Sequence, residues 1–298
     1  MQRNLMLGLG LLLLGNVFTA LYDVSIKWLP AESDAAMFLL LRQVTAILMM
    51  LPLWFYAGRP RTAFLKLHMI RANSGAVGGL LLILGLISLP LATVSSLFYS
   101  APLMIIVMGM LFLKERLSGH QIVAAVLGFI GILVILRPSE MNLAALAVLV
   151  SAIIFAANQL MLRWLPSREA ASVTLLCYNL LSLPLVIVFA AWQGFAGFSW
   201  PVLGIAVLSN IFLLVYQLFS VLAYRKAQAG EIAVAEYCGL LFCILFGWLW
   251  FDEWLDPLGW LGAALIVLPT IILPRLSRRW RKFRGLEVVG EQTQQVNC

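Results

Sequence analysis

Apolar residues fill this chain in blocks of about twenty, and polar residues stand between them as short punctuation. A block of that length spans the hydrocarbon core of a bilayer as a helix. The pattern predicts ten such helices, at about 4–25, 35–57, 74–90, 93–113, 119–136, 142–162, 170–191, 200–223, 232–251 and 257–274. A transmembrane β-barrel would instead show short segments of alternating polarity, so the expected fold class is an all-α integral membrane protein. Arg3 precedes the first apolar run as it would in a signal peptide, but no clear small-residue cleavage site follows, and the run is read as the first helix.

The punctuation repeats. "IKWLP" at 26–30 returns as "LRWLP" at 162–166, which sets Lys27 over Arg163, Trp28 over Trp164 and Pro30 over Pro166. Further on, "YSAPLMIIVMGMLFLKERLSG" at 99–119 lies over "YCGLLFCILFGWLWFDEWLDP" at 237–257, pairing Tyr99 with Tyr237, Gly109 with Gly247 and Glu115 with Glu253. Two similar shifts in one order predict a duplication: one five-helix repeat over 1–138, a second over 139–274, and a tail over 275–298. Five is odd, so the second repeat enters the membrane from the opposite side and the two are inverted. Inverted repeats are an architecture of secondary transporters, with a binding site between the repeats near the midplane.

Composition agrees with the pattern: 63% of residues are hydrophobic, 11% are charged, and mean hydropathy is +0.99. Net charge is +7, which in a soluble protein would raise the question of nucleic acid. Here it marks topology, because basic residues are retained in the cytoplasm. With a cytoplasmic N-terminus, all but Lys27, Arg42 and Arg137 of the 20 basic residues fall in inside loops or the tail. Both termini are therefore expected in the cytoplasm, with the protein in a bacterial-type inner membrane as a monomer or homodimer. Lipid is the expected partner of the basic tail, and no nucleic-acid partner is expected.

Residue chemistry excludes several enzyme classes. The four cysteines have no metal-type spacing, and the two histidines, His68 and His120, fall in separate predicted loops or at a loop's edge. There is no HExxH, no P-loop and no Gly-x-Ser-x-Gly elbow, so no catalytic residue, metal or cofactor is expected. An integral-membrane enzyme stays as the rival from another class. A passive channel is a third reading, disfavoured by the sparse polar lining.

Polar groups inside membrane helices carry the functional expectation, because burying them is costly, about 2.5–3.5 kcal/mol for a charged one at the helix centre. Of the 13 acidic residues only Asp23 and Glu236 fall within predicted helices. Glu236 is read either as a substrate or coupling carboxylate or as the partner of Arg225 or Lys226. Arg42 is read either as the ion-pair partner of Asp23 or as a direct substrate contact. Asp23 and Lys27 are four apart on one helix face, which suits an intrahelical ion pair or the rim of an entrance.

Asn158-Gln159 occupy the repeat position of Tyr22-Asp23, and Tyr178-Asn179 that of Arg42-Gln43, so the second repeat carries neutral polar groups where the first carries charge. Asn16, Gln43, Ser209, Asn210, Tyr216 and Gln217 fit interhelical hydrogen bonding first. Tyr99 and Tyr237, with Phe98, Trp248 and Trp250, are candidates to stack on a planar ring or a cation. The expected substrate-binding set is thus Arg42, Tyr99, Asn158, Gln159, Tyr178, Glu236 and Tyr237, with Asp23 and Lys27 at the entrance and Glu236 also in a coupling role.

The segments "DVSIKWL" at 23–29, "FLLLRQV" at 38–44, "SLPLATVSSLFYSAPLMIIVMGMLFLKERLSGHQIVAAVLGFIGILVILRP" at 88–138 and "AEYCGLLFCILFGWLWFDEWLDPLGWLGAALIV" at 235–267 resemble the EamA-type members of the drug/metabolite transporter superfamily. Within it they look most like the branch of S-adenosylmethionine and riboflavin carriers. The resemblance implies a carrier of small metabolites (amino-acid, nucleoside-type or flavin-like) that works by alternating access on a proton or exchange gradient. It also implies functional positions at Arg42 and at the acidic-plus-tyrosine pair Glu236-Tyr237. One departure is Leu240, which stands opposite Pro102 where many members carry a second proline.

Overall fold

The computed structural model describes residues 2–30, 32–114, 119–136, 142–166, 169–226, 236–265, 267–269 and 272. Among these, all regular structure is helical. The helices are α1 (Gln2–Lys27), α2 (Ala35–Tyr56), α3 (Leu65–Ser88), α4 (Leu91–Phe98), α5 (Ala101–Leu113), α6 (Gly119–Leu136), α7 (Leu143–Met161), α8 (Ala171–Trp192), α9 (Trp200–Lys226) and α10 (Tyr237–Phe251). A last apolar stretch, α11, runs over Pro257–Pro269. Seven spans among the described residues are long and apolar enough to cross a membrane.

Local chemistry sets the helix ends. Asp34 caps α2 by accepting the Met37 N–H at 2.7 Å, and Asn142 caps α7 by accepting that of Ala145 at 2.8 Å. The expected fourth helix is divided in two: α4 stops at Phe98, and α5 restarts after Ser100 with Pro102 in its first turn. Proline fits there because its missing N–H would have no intrahelical partner anyway.

The third helix begins at Leu65, about nine residues before the expected start at 74. His68 and Arg71 therefore lie on a helix and are buried, not in the cytoplasmic loop where they were expected. Leu67 packs against an apolar cluster, while Leu65 and Ile70 face outward, which turns His68, Arg71 and Ala72 into the bundle.

Helices pair across the two halves of the chain. The most extensive contact is α1 with α9, followed by α2 with α8, α3 with α7 and α3 with α8. Hydrophobic burial does not drive helices together in lipid, so close packing and hydrogen bonds must. At Gly78 a Cβ would come within 2.9 Å of the Ile154 side chain, so glycine is what lets α3 approach α7. Asn210 on α9 donates to the Arg42 carbonyl and to Thr45 Oγ1 on α2, both at 2.5 Å. Gln43 on α2 donates to Ser182 on α8, and Ser151 on α7 donates to the Gly78 carbonyl at 2.7 Å. Outward faces carry exposed Leu48, Phe129, Val188 and Leu249, suited to lipid.

The packed interior is not continuous. One apolar cluster gathers Leu12, Met50, Leu160, Leu175, Val221 and Tyr224. Another gathers Val24, Ile26, Phe38, Ile83, Leu86, Val186 and Val202. Along each of α1, α2, α8 and α9 the two clusters occupy opposite ends, and polar residues fill the interval.

Candidate functional site

That interval holds a cavity of about 130 Å³. Each of its six principal helices contributes polar side chains: Thr19, Tyr22 and Asp23 from α1, Arg42 from α2, Arg71 from α3, Ser151, Asn158 and Gln159 from α7, Thr174 and Tyr178 from α8, and Tyr216, Gln217 and Ser220 from α9. Arg42 is seven residues past the start of α2, or about 10 Å along the axis at 1.5 Å per residue. It is only 6% exposed, too deep to serve as an end cap.

Glycines on α3 make the room. A Cβ at Gly75 would collide with the Tyr178 hydroxyl, and one at Gly79 would lie 3.2 Å from Arg42 Nη2. Arg42 Nη1 donates to the Tyr22 hydroxyl at 2.7 Å, with its guanidinium carbon 5.5 Å from the Tyr22 ring centre. The Arg71 guanidinium lies 5.9 Å from the Tyr178 ring centre, and its Nε donates to the Asn158 carbonyl at 3.4 Å. Asn158 itself donates to Ser74 Oγ at 3.1 Å.

A smaller void adjoins, lined by Tyr99, Pro102 and Glu236 and sharing Thr19, Phe98, Phe155 and Tyr216 with the main cavity. Glu236 is 3% exposed. Its carboxylate accepts from the Tyr216 hydroxyl at 3.3 Å and from that of Tyr224 at 3.2 Å. Gln159 donates to the Tyr216 hydroxyl at 3.1 Å and to Ser220 at 2.8 Å. A continuous chain of hydrogen bonds therefore links Gln159 in the main cavity through Tyr216 to Glu236.

The sequence-predicted residues thus divide. Arg42, Asn158, Gln159, Tyr178 and Asp23 meet at the main cavity, and Tyr99 and Glu236 border the adjoining void. The side chain of Tyr237 lies outside the described residues, as do Glu115, Arg137 and the tail.

Three expected pairings are corrected. Lys27 does not pair with Asp23; its ammonium lies 2.6 Å from Glu253 Oε1 and also donates to the Leu89 carbonyl at 3.1 Å. Asp23 does not pair with Arg42 either, and accepts instead from Cys243 Sγ at 3.6 Å. Nor is Glu236 paired with Arg225, which turns to the Glu169 carbonyl and to Thr174 Oγ1. Trp248 and Trp250 are about half exposed and pack against Trp254 and Trp28, so they are not cavity walls. His68 Nε2 sits 3.3 Å from Glu169 Oε1. No group of three potential metal ligands occurs among the described residues.

Arg71 is the charged site residue that the sequence reading missed, and Tyr22, the partner of Arg42, also stood outside the expected binding set. The signal for Arg71 was present in the glycines at 75, 78 and 79, four to eight residues beyond it, which mark a crowded helix face.

A polar, charged cavity between two apolar clusters, inside a bundle of membrane-spanning helices, defines a multi-pass membrane transporter for small molecules. Comparison with known proteins agrees. The EamA-like transporter family model matches residues 6–137 and again 141–273, and the chain belongs to that family. A riboflavin transporter of Rhizobium johnstonii is 31% identical over 227 residues, which is 74% of this chain and 74% of the relative. An S-adenosylmethionine uptake transporter of Rickettsia felis is 25% identical over 287 residues, 91% and 93% of the two chains. A pseudopaline exporter of Pseudomonas aeruginosa is 28% identical over 214 residues, 68% and 74%. These relatives are transporters, not enzymes. A solved crystal structure with a TM-score of 0.67 shares the fold at 17% identity, over 93% of this chain and 99% of that one.

Proposed function

We propose that the chain is a secondary active transporter that moves a small organic metabolite across a bacterial inner membrane by alternating access. The carrying observation is the cavity itself, lined from both halves of the chain and lying between two apolar clusters. Ten membrane helices in two inverted repeats, 1–138 and 139–274, account for its symmetry. The shift of about 137 residues carries α1 onto α7, α2 onto α8 and α3 onto α9. Under that exchange the α1–α9 contact becomes the α7–α3 contact, and α2–α8 maps onto itself, as the observed packing does. Lys114 and Asp252, repeat mates at the ends of α5 and α10, both take a left-handed conformation at φ 53°. Both termini are assigned to the cytoplasm, and the basic tail to the lipid surface.

In this mechanism Arg42, Asn158, Gln159 and Tyr178 hold the solute, with Tyr99 and Tyr237 as aromatic walls. Glu236 senses occupancy through Gln159 and Tyr216 and takes up a proton, or releases it, as the open side changes. Relatives named for riboflavin and S-adenosylmethionine favour a flavin- or nucleoside-like solute. The test is uptake by proteoliposomes of riboflavin, S-adenosylmethionine and amino acids, with and without an imposed pH gradient. Saturable, gradient-driven accumulation supports the reading, whereas non-saturating flux that only equilibrates would make the protein a passive pore.

A further inference from the structure

The main cavity carries an imbalance of charge that its own side chains do not resolve. Arg42 and Arg71 are 6% and 5% exposed, and neither guanidinium has a carboxylate within 4.0 Å among the described residues. Arg42 Nε and Arg71 Nη1 are buried N–H groups without a hydrogen-bond acceptor. The remaining charged group on the cavity wall is Asp23, whose carboxylate is taken by Cys243. Two buried cations against one carboxylate is a costly arrangement unless a ligand completes it, because a desolvated guanidinium needs an anionic acceptor.

Both arginines line the same cavity beside α3. Arg42 Nη2 stands beside Gly79, and Tyr178, over which Arg71 lies, stands against Gly75. Gly75 and Gly79 are one helical turn apart, about 6 Å along α3. An anionic group in that cavity would supply the acceptors that Arg42 Nε and Arg71 Nη1 lack. Phe98 and Phe155, whose ring centres are 5.1 Å apart, offer an apolar wall on the same cavity.

We propose that Arg42 and Arg71 form a two-sided clamp for an anionic group, a carboxylate or phosphate, on a solute with an aromatic body. The proposal rests on the carrier reading above and narrows its substrate to organic anions.

The test is thermal unfolding of the purified protein in non-ionic detergent, at constant ionic strength, with four matched probes: benzoate, phenyl phosphate, benzyl alcohol and benzylamine. Ligands that bind only the folded state raise the melting temperature by mass action. The expected result is a saturable rise with one or both anions and none with the alcohol or the amine; the stronger anion separates carboxylate from phosphate. Arg42→Gln and Arg71→Gln each weaken that binding by at least about tenfold. Arg71→Lys, which keeps charge but loses the fork, falls between and guards against a variant that simply misfolds. Anions that do no better than the alcohol and amine, or an anion shift that survives both glutamine variants, overturn the clamp. Flux separates this failure from failure of the carrier reading. Saturable uptake of neutral riboflavin without any anion effect sinks the clamp alone, while anion binding without movement of any solute sinks the carrier.

Discussion

Lys27 and Glu253 stand 226 residues apart in the chain and meet at 2.6 Å, joining the end of α1 to the end of α10. The same carboxylate accepts the Leu91 N–H at 2.5 Å, so it also caps α4. The two substitutions at this pair therefore differ. Lys27→Met leaves the cap in place, whereas Glu253→Ala removes the cap and strands a half-buried ammonium. Glu253→Ala is expected to cost about 1–3 kcal/mol, and Lys27→Met distinctly less, read as melting temperature in detergent. Equal losses would mean that the cap contributes nothing.

Among the described residues no cation lies within 4.0 Å of the Glu236 carboxylate, which is held by two tyrosine hydroxyls. Glutamine preserves its size and can accept the same bonds, so Glu236→Gln is expected to fold and to melt close to the parent protein. Gradient-driven uptake in proteoliposomes should fall by at least about tenfold, equivalent to 1.4 kcal/mol. Exchange of labelled for unlabelled solute, which needs no net proton movement, should continue. Intact gradient-driven accumulation would remove Glu236 from coupling.

Tyr216 is the link between cavity and carboxylate, and Tyr216→Phe deletes one oxygen with little change of shape. Gln159 keeps its bond to Ser220 and Glu236 keeps Tyr224, so folding is expected to survive. The predicted signature is a weaker dependence of uptake on the pH gradient with a smaller change in KM, since the solute contact remains while the relay is cut. An unchanged pH profile would show that the relay carries no coupling.

The all-helical fold and much of the cavity were legible because lipid forces a simple code: long apolar runs make helices, and a polar group inside one calls for a reason. That logic singled out Arg42, Asn158, Gln159, Tyr178 and Glu236. It failed at Arg71, where Lys66, His68 and Arg71 within six residues resemble a cytoplasmic loop and only the following glycines reveal a buried helix face. It failed again at Lys27, whose nearest acid in sequence is Asp23 but whose nearest in space is Glu253. Partner choice is tertiary information, set by how α1 lies against α10, and spacing along one helix does not contain it. The break at Tyr99-Ser100 was partly legible through Pro102, although proline inside α8 at Pro184 leaves that helix unbroken.

Gly75 offers the sharpest separation between stability and function. A Cβ there would strike the Tyr178 hydroxyl, so Gly75→Ala must push Tyr178 out of its place beside Arg71. Alanine is also the better helix former, by roughly 1 kcal/mol, which offsets part of the crowding. The expected outcome is a small change in melting temperature and a large rise in KM for whatever solute the proteoliposome panel identifies. Gly10→Ala is the control, because a Cβ at Gly10 meets nothing within 4 Å. It should leave uptake unchanged and stabilise the protein slightly. If Gly75→Ala transports with the parent KM, Tyr178 does not touch the solute, and the site shifts toward the Tyr99 and Glu236 side of the bundle.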